Sequence, residues 1–377
     1  MLLPESNELP VDRLSSVFTD TTNSYKFYWF LAILNHLKEN GSSLIALDDL
    51  ALRMVAQVWY PLDYFRLSFG RQDSFKHIAH FVSQRMTVDN GPTAPGLFEQ
   101  IRTKLSAEDQ KTLKAEVTRV LLRWVPYRFV RPFFAEELRG IADHQINHQL
   151  VILSNERFTL DPRRTLYRFI NNAIELNPLW VDYFLRHQTI LRGFINWHLV
   201  KFLQKNNPNV IGLSEKLERP VQRNLKLATD FWQTYLKGTP ELRCIYSGQQ
   251  VTRQNFSLDH FLPWSFVAHD QLWNIIPTPK SVNSSKSDWL PSTELYMDAF
   301  ANIQYQVFHY HYAQSQERLL EDYSALFANS LEDVAQLETD SFVSQLRGQL
   351  LPQLQVARNL GFPYPFEYKV GGSQLLE

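Results

Sequence analysis

The sequence predicts a mainly α protein with one small β-containing module embedded in it, α+β overall. Three observations carry that expectation. Apolar residues recur at three- and four-residue steps through most of the first 240 residues, the pattern turns to short apolar-polar alternation just beyond "KGTP" at Lys237 to Pro240, and helical periodicity returns beyond Pro291. The expected organisation is a helical region over 1–240 serving recognition, regulation or partner docking, the module over 241–292, and a C-terminal helical region over 293–377 packing on it.

Taken in order, Thr21 to Ser24 offer capping side chains ahead of "YKFYWFLAILNHLKENG", a helix that Asn40-Gly41 should stop. Its Phe27, Phe30, Leu31, Leu34 and Leu37 fall on one face and read as core. The same period predicts helices around Leu44 to Trp59, Leu105 to Leu122, Pro132 to Gln149, Arg163 to Leu176, Leu179 to Gln204 and Ser214 to Leu236. Short separators such as "GRQDS", "DNGPTAPG" and "KNNPN" divide them. "ELRCIYSGQQVT" and "NFSLDHF" then read as two strands, or as one strand and an irregular hairpin turning at Ser247-Gly248. There is no internal repeat.

Composition narrows the function classes. With 44% hydrophobic and 14% aromatic residues the chain can bury a substantial core, which excludes wholesale disorder. Cys244 is the only cysteine, so neither an intrachain disulfide nor a zinc site built on cysteine pairs is available, and no structural zinc is expected. "MLLPESNELPVDRL" lacks the basic and apolar regions of a signal peptide, and no apolar run is long enough to span a bilayer; a cytoplasmic protein without membrane contact is expected.

The net charge of −1 argues against coating nucleic acid through overall charge, but the charge is uneven. Four arginines and no acid lie between Arg119 and Arg131, whereas seven acids lie between Glu317 and Asp340. In "RWVPYRFVRPF", Arg123, Arg128 and Arg131 interleave with Trp124, Tyr127 and Phe129, a pattern suited either to phosphates and unpaired bases or to a helix corner whose Arg stems cover apolar surface.

The chemistry concentrates in "SLDHFLPWSFVAHDQLWNIIPTPKSVNSSKSDWLPS", Ser257 to Ser292. A strand ending in Asp259-His260, followed by a loop and a short helix bearing Asn283, would bring a carboxylate and an amide carbonyl together. Two such oxygens, completed by waters and phosphate, suit a hard divalent ion such as Mg²⁺, with Mn²⁺ as a substitute. His260 points to the other face of its strand and is better suited to act as a base. Lys286, three residues beyond Asn283, is expected on a polar turn within reach of a phosphate. His269-Asp270 superficially suggests a second metal pair, but sits in the connecting loop.

Asp-His, then Asn, then a final Asn, with "CIYSGQ", "DHFLPWS", "LWNIIP" and "NSSKS" in order, resembles the HNH endonucleases, the ββα-metal nucleases. The module is especially similar to that of RNA-guided CRISPR effector nucleases, although no RuvC-like segment accompanies it. The resemblance implies Asp259 and Asn283 as metal ligands, His260 as general base, and Asn274 as the residue bracing the loop and the base. It further implies a Mg²⁺-dependent DNA endonuclease or nickase. DNA is the expected partner, contacted also by Arg123, Arg128, Arg131 and Lys286. By analogy, other proteins of an antiphage defence system are expected partners. Two alternatives stay open: a nuclease subunit active only within a partner complex, and an HNH protein that binds nucleic acid without cutting it.

Overall fold

A computed structural model describes residues 3–88, 93–219, 223–239 and 241–369. The separator residues 89–92 and Pro240 lie outside the described residues. The chain is mainly helical, with a three-stranded and a two-stranded antiparallel sheet among the described residues. No helix in those residues is long and apolar enough to cross a membrane. Two compact units result, Met1–Pro208 with Leu213–Arg219, and Pro220–Glu377 with Asn209–Gly212. The division falls near residue 220, so the helix Lys226–Gly238 belongs with the later unit rather than ending the first region.

The first unit is organised on the helix Tyr25–Asn40. The sequence assigns it one apolar stripe, but Tyr28, Trp29, Ala32 and Ile33 are buried as well, so neighbouring elements surround it. Gly41, at φ 66°, closes its last turn by donating its N–H to the Leu37 carbonyl, 3.0 Å away. At the other end the Ser24 hydroxyl donates to buried Asp73 instead of capping its own helix, and the Asn23 side chain accepts from the Tyr25 amide.

Several expected helices take other forms. Arg163 to Leu176 contains a β-hairpin, Tyr167–Ile170 against Ala173–Leu176, turning at Asn171 and Asn172. Asn171 adopts φ 50°, a conformation Asn tolerates better than most residues, and such a two-residue Asn turn matches the twist of paired strands. The leading part of Leu44 to Trp59 is the strand Leu44–Ala46, which joins the hairpin by pairing Ile45 with Ile174. Both residues are fully buried, so packing overrides any local helical preference. Farther on, Pro132 to Gln149 yields a short 3-10 turn and then a helix from Asp143 to Leu160.

The second unit has its own core, running from Ala228 and Trp232 through Phe261, Ile275 and Phe300 to Phe342 and Phe366. The strand Phe256–His260 pairs antiparallel with Ile275–Pro279, Asp259 opposite Ile276 and His260 opposite Ile275. Upstream of both strands, "CIYSGQ" is a turn with Gly248 at φ 68°, flanked by a bridge between Arg243 and Gln250. The helix Lys280–Lys286 then lies against this sheet, completing two strands and one helix.

Packing holds this small module from behind. On the helix Thr293–Ala313, Phe300 stacks on Phe261 at 4.0 Å, and buried Gln304 donates to the Ile275 carbonyl at 2.9 Å while accepting from the Tyr323 hydroxyl. Asp322 accepts from the Leu272 amide at 2.9 Å. Near the C-terminus, Phe366 exchanges backbone hydrogen bonds with Leu290 and Ser292. Among the described residues no three His, Cys, Asp or Glu side chains cluster as metal ligands, and buried Cys244 is free.

Candidate active site

Alternation along the strand Phe256–His260 sends Asp259 and His260 to different partners. Asp259, 2% exposed, accepts from the Lys286 ammonium at 3.1 Å through Oδ1 and from the Tyr246 hydroxyl at 2.8 Å through Oδ2. Lys286 also donates to the His260 carbonyl at 2.6 Å. It is fully buried, which differs from the surface position expected for a phosphate contact. A helix places residues three apart on one face, so Lys286 and Asn283 reach the same strand together. The Asn283 amide donates to Ser257 Oγ at 2.8 Å and to the Leu258 carbonyl at 3.1 Å.

On the other side, His260 Nε2 lies 2.8 Å from Asp270 Oδ1. Arg223 pairs with the same Asp270 oxygen at 2.5 Å, lies 3.2 Å from His260 Nε2, and sets its guanidinium over Trp264 at 4.8 Å from the ring centroid. A guanidinium has only donors, so one nitrogen cannot both donate to Asp270 and accept from Arg223. The shorter contact assigns the proton to Nε2, directed at Asp270, with Arg223 bonded to the carboxylate. Nδ1 is thereby left with its lone pair.

These contacts set the charge states. Burial lowers the His260 pKa, with the Asp270 hydrogen bond opposing and Arg223 reinforcing that shift, so the neutral imidazole is favoured. Burial raises the Asp270 pKa, but hydrogen bonds from His260 and Arg223 outweigh it and hold the group at about 2. Burial and adjacent Asp259 push the Tyr246 phenol well above its ordinary value, so it remains a donor.

Asn274 is fully buried and ties down the loop between the strands. Its Oδ1 accepts from the Leu262 amide at 2.8 Å and its Nδ2 donates to the Leu262 carbonyl at 2.9 Å. This braces the chain just beyond His260 without contact to the imidazole. The structure therefore brings Asp259, His260, Asn283 and Lys286 together on the sheet and helix, with Asn274 beneath the loop.

Asp270, Arg223 and Tyr246 complete the site and escaped the sequence reading. In the sequence Asp270 reads only as half of a pair with His269. Tyr246 stands inside "CIYSGQ", ahead of the Asp-His pair, and no residue pattern singles it out. Arg223 lies outside the module altogether.

The donor types at Asp259 and Asn283 fit a divalent ion. Each Asp259 oxygen accepts one hydrogen bond and keeps further lone-pair capacity, while the Asn283 amide makes its contacts through nitrogen, leaving a carbonyl oxygen without a hydrogen bond among the described residues.

Arg123, Arg128 and Arg131 belong to the first unit. Arg128 makes a two-pronged ion pair with Asp143 at 2.8 and 2.9 Å, and Arg131 is 49% exposed. Of the interleaved aromatics, Phe129 is buried and Tyr127 stacks on Phe169, leaving Trp124, 40% exposed, at the surface.

Residues 244–292 match the family model of the HNH endonucleases. No curated protein and no solved structure matches the chain. The match covers the strand pair, the loop and the helix Lys280–Lys286, so this segment is an HNH module, and its family acts on nucleic acid.

Proposed function

We propose that the module hydrolyses phosphodiester bonds in DNA as a metal-dependent endonuclease or nickase. The reading rests above all on one observation, the 2.8 Å contact from His260 Nε2 to Asp270, which leaves Nδ1 as a proton acceptor. Asp259 and Asn283 would hold Mg²⁺, whose charge would neutralise the scissile phosphate and the departing 3′ oxygen.

Within that reading, His260 takes a proton from water at Nδ1 as the water oxygen bonds to phosphorus and the bond to the 3′ oxygen breaks, the departing oxygen taking its proton from solvent. The products carry 5′-phosphate and 3′-hydroxyl ends. Asp270 keeps the proton on Nε2 and stabilises the imidazolium as it forms, the role a carboxylate plays behind any histidine base. Lys286 and Tyr246 hold Asp259 in one orientation, which limits the reorganisation needed during the reaction. Arg123, Arg128 and Arg131 would contribute phosphate contacts from the first unit.

The test is conversion of supercoiled plasmid to nicked or linear DNA by the purified full chain, with Mg²⁺, with Mn²⁺, and with EDTA. Divalent-dependent conversion that His260→Ala abolishes supports the reading. Conversion in EDTA, or unaltered conversion by His260→Ala, overturns it.

A second reading has its own observation. Asp259 is only 2% exposed, with Lys286 and Tyr246 on its two oxygens, which favours a resting state that a partner complex opens. A protein inactive alone that cuts once its partner is supplied would establish this version.

A further inference from the structure

The first unit contains a cavity of about 950 Å³ whose lining includes the Thr19 to Lys26 segment and Trp124 to Asp143. That volume lies at the upper end of the range for small-molecule sites and far exceeds what a single inorganic ion fills. Four cations line it, Lys26, Arg128, Arg131 and Arg139, against two acids, Asp20 and Asp143. The Arg128–Asp143 ion pair accounts for one of each.

Arg131 stands 4.0 Å from the same aspartate, beyond hydrogen-bonding distance, and Arg139 is exposed. Lys26 spends two of its three N–H donors on the carbonyls of Val17 and Asp20, at 3.0 and 2.9 Å. Burial lowers its pKa, Asp20 opposes the shift, and Arg131 and Arg128 reinforce it, consistent with a locally positive field.

One wall is the indole of Trp124, 40% exposed, with the Arg123 and Arg128 guanidinium groups 5.0 and 5.5 Å from its centroid, so a base would lie on the part of the ring those groups leave open. Trp124 is set apart from the other exposed indole, Trp197, by its place in the lining of a cavity rich in hydroxyls and cations. Thr21, Thr22 and Asn23 supply neutral donors and acceptors on another wall.

We propose that this cavity binds the phosphate-and-base unit of a nucleotide, either free in solution or at the end of a single strand. The phosphate pairs with Arg131 and Arg139, the base lies along Trp124, and the sugar hydroxyls meet the Thr21 to Asn23 segment. The site is separate from the chemistry assigned to His260, but it shares Arg128 and Arg131 with the phosphate contacts proposed above and, in its strand-end form, rests on that reading; plasmid cleavage tests that reading and the titration below tests this site.

Calorimetric titration of the full chain at low salt tests the proposal, with AMP, adenosine, inorganic phosphate and a ten-nucleotide single strand as probes. AMP should bind at least about tenfold more tightly than adenosine or phosphate, because it alone joins the charged and the stacking contact. Trp124→Ala should weaken that binding about tenfold, and Arg131→Glu with Arg139→Glu at least as much. Both replacements alter exposed side chains, so the fold should survive them. If the single strand binds and AMP does not, with the same sensitivity to these variants, the ligand is a strand end. No binding of AMP or the strand overturns the proposal, as do equal affinities for AMP and phosphate or binding indifferent to the variants.

Discussion

His260 Nε2 and Asp270 Oδ1 lie 2.8 Å apart, joining the last residue of a strand to a loop residue ten positions farther on. The contact fixes the imidazole and decides which nitrogen keeps its lone pair. It turns an ordinary strand-end histidine into a candidate base.

Replacing Asp270 by Ala should reduce plasmid cleavage about 10- to 100-fold, the usual consequence of removing the group that orients a histidine. The acid limb of the rate profile should also move to lower pH, since the Asp270 contacts raise the His260 pKa against burial. A purely structural role would lower activity without moving that limb. A pH–rate profile of the variant beside the wild type measures both.

For His260→Ala the expected loss in cleavage rate is about 10² to 10⁴, the range for a missing general base. DNA binding and divalent-ion affinity should stay near wild type, because neither is assigned to the imidazole. Metal release from this variant, read by calorimetry with Mn²⁺, would instead make His260 a ligand.

The pH dependence follows from two signs. His260 is lowered in the folded state, so the wild-type rate should hold below its ordinary value near 6.5 before falling as the imidazole protonates. The same depression means that the unfolded chain takes up the proton first, so His260 costs stability as pH falls below about 6.5. Asp270, held at about 2, contributes stability that is complete above about pH 4 and lost as pH falls towards 2. Urea midpoints across pH 2 to 8 should decline with acid, and less steeply in Asp270→Asn.

Asp259→Ala should do more than weaken metal binding. It strands the fully buried Lys286 ammonium, and breaking a buried pair from one side costs about 3–5 kcal/mol. Asn283→Ala breaks no ion pair and should weaken divalent-ion binding with a smaller stability loss. Urea unfolding and Mn²⁺ calorimetry on both variants separate the two effects; equal stability losses would show that the ion pair does not support the module.

Asn274→Ala should destabilise the protein by about 1–3 kcal/mol, since both backbone groups of buried Leu262 lose their partner. Cleavage should fall through the loosened loop. A variant of wild-type stability would remove Asn274 from its bracing role.

Much of the site was legible in one dimension. Asp259-His260 at a strand end and Asn283 on a short helix are local features that backbone periodicity places, whereas Lys286, expected on a polar turn, is the last residue of that helix and buried. The long apolar stretch from Tyr25 marked a core helix for the same reason. What the sequence determined by itself was therefore the mainly α class, the HNH module and its oxygen and imidazole groups. Tertiary structure decided the rest. The hairpin at Tyr167 to Leu176 forms where Ile45 and Ile174 are buried together across 129 residues of sequence separation. Lys286 faces inward because Asp259 and the His260 carbonyl offer it partners that outweigh hydration. Asp270, Arg223 and Tyr246 join the site through side-chain contacts closed by folding, and no periodicity encodes a contact between residues that meet only when the chain packs.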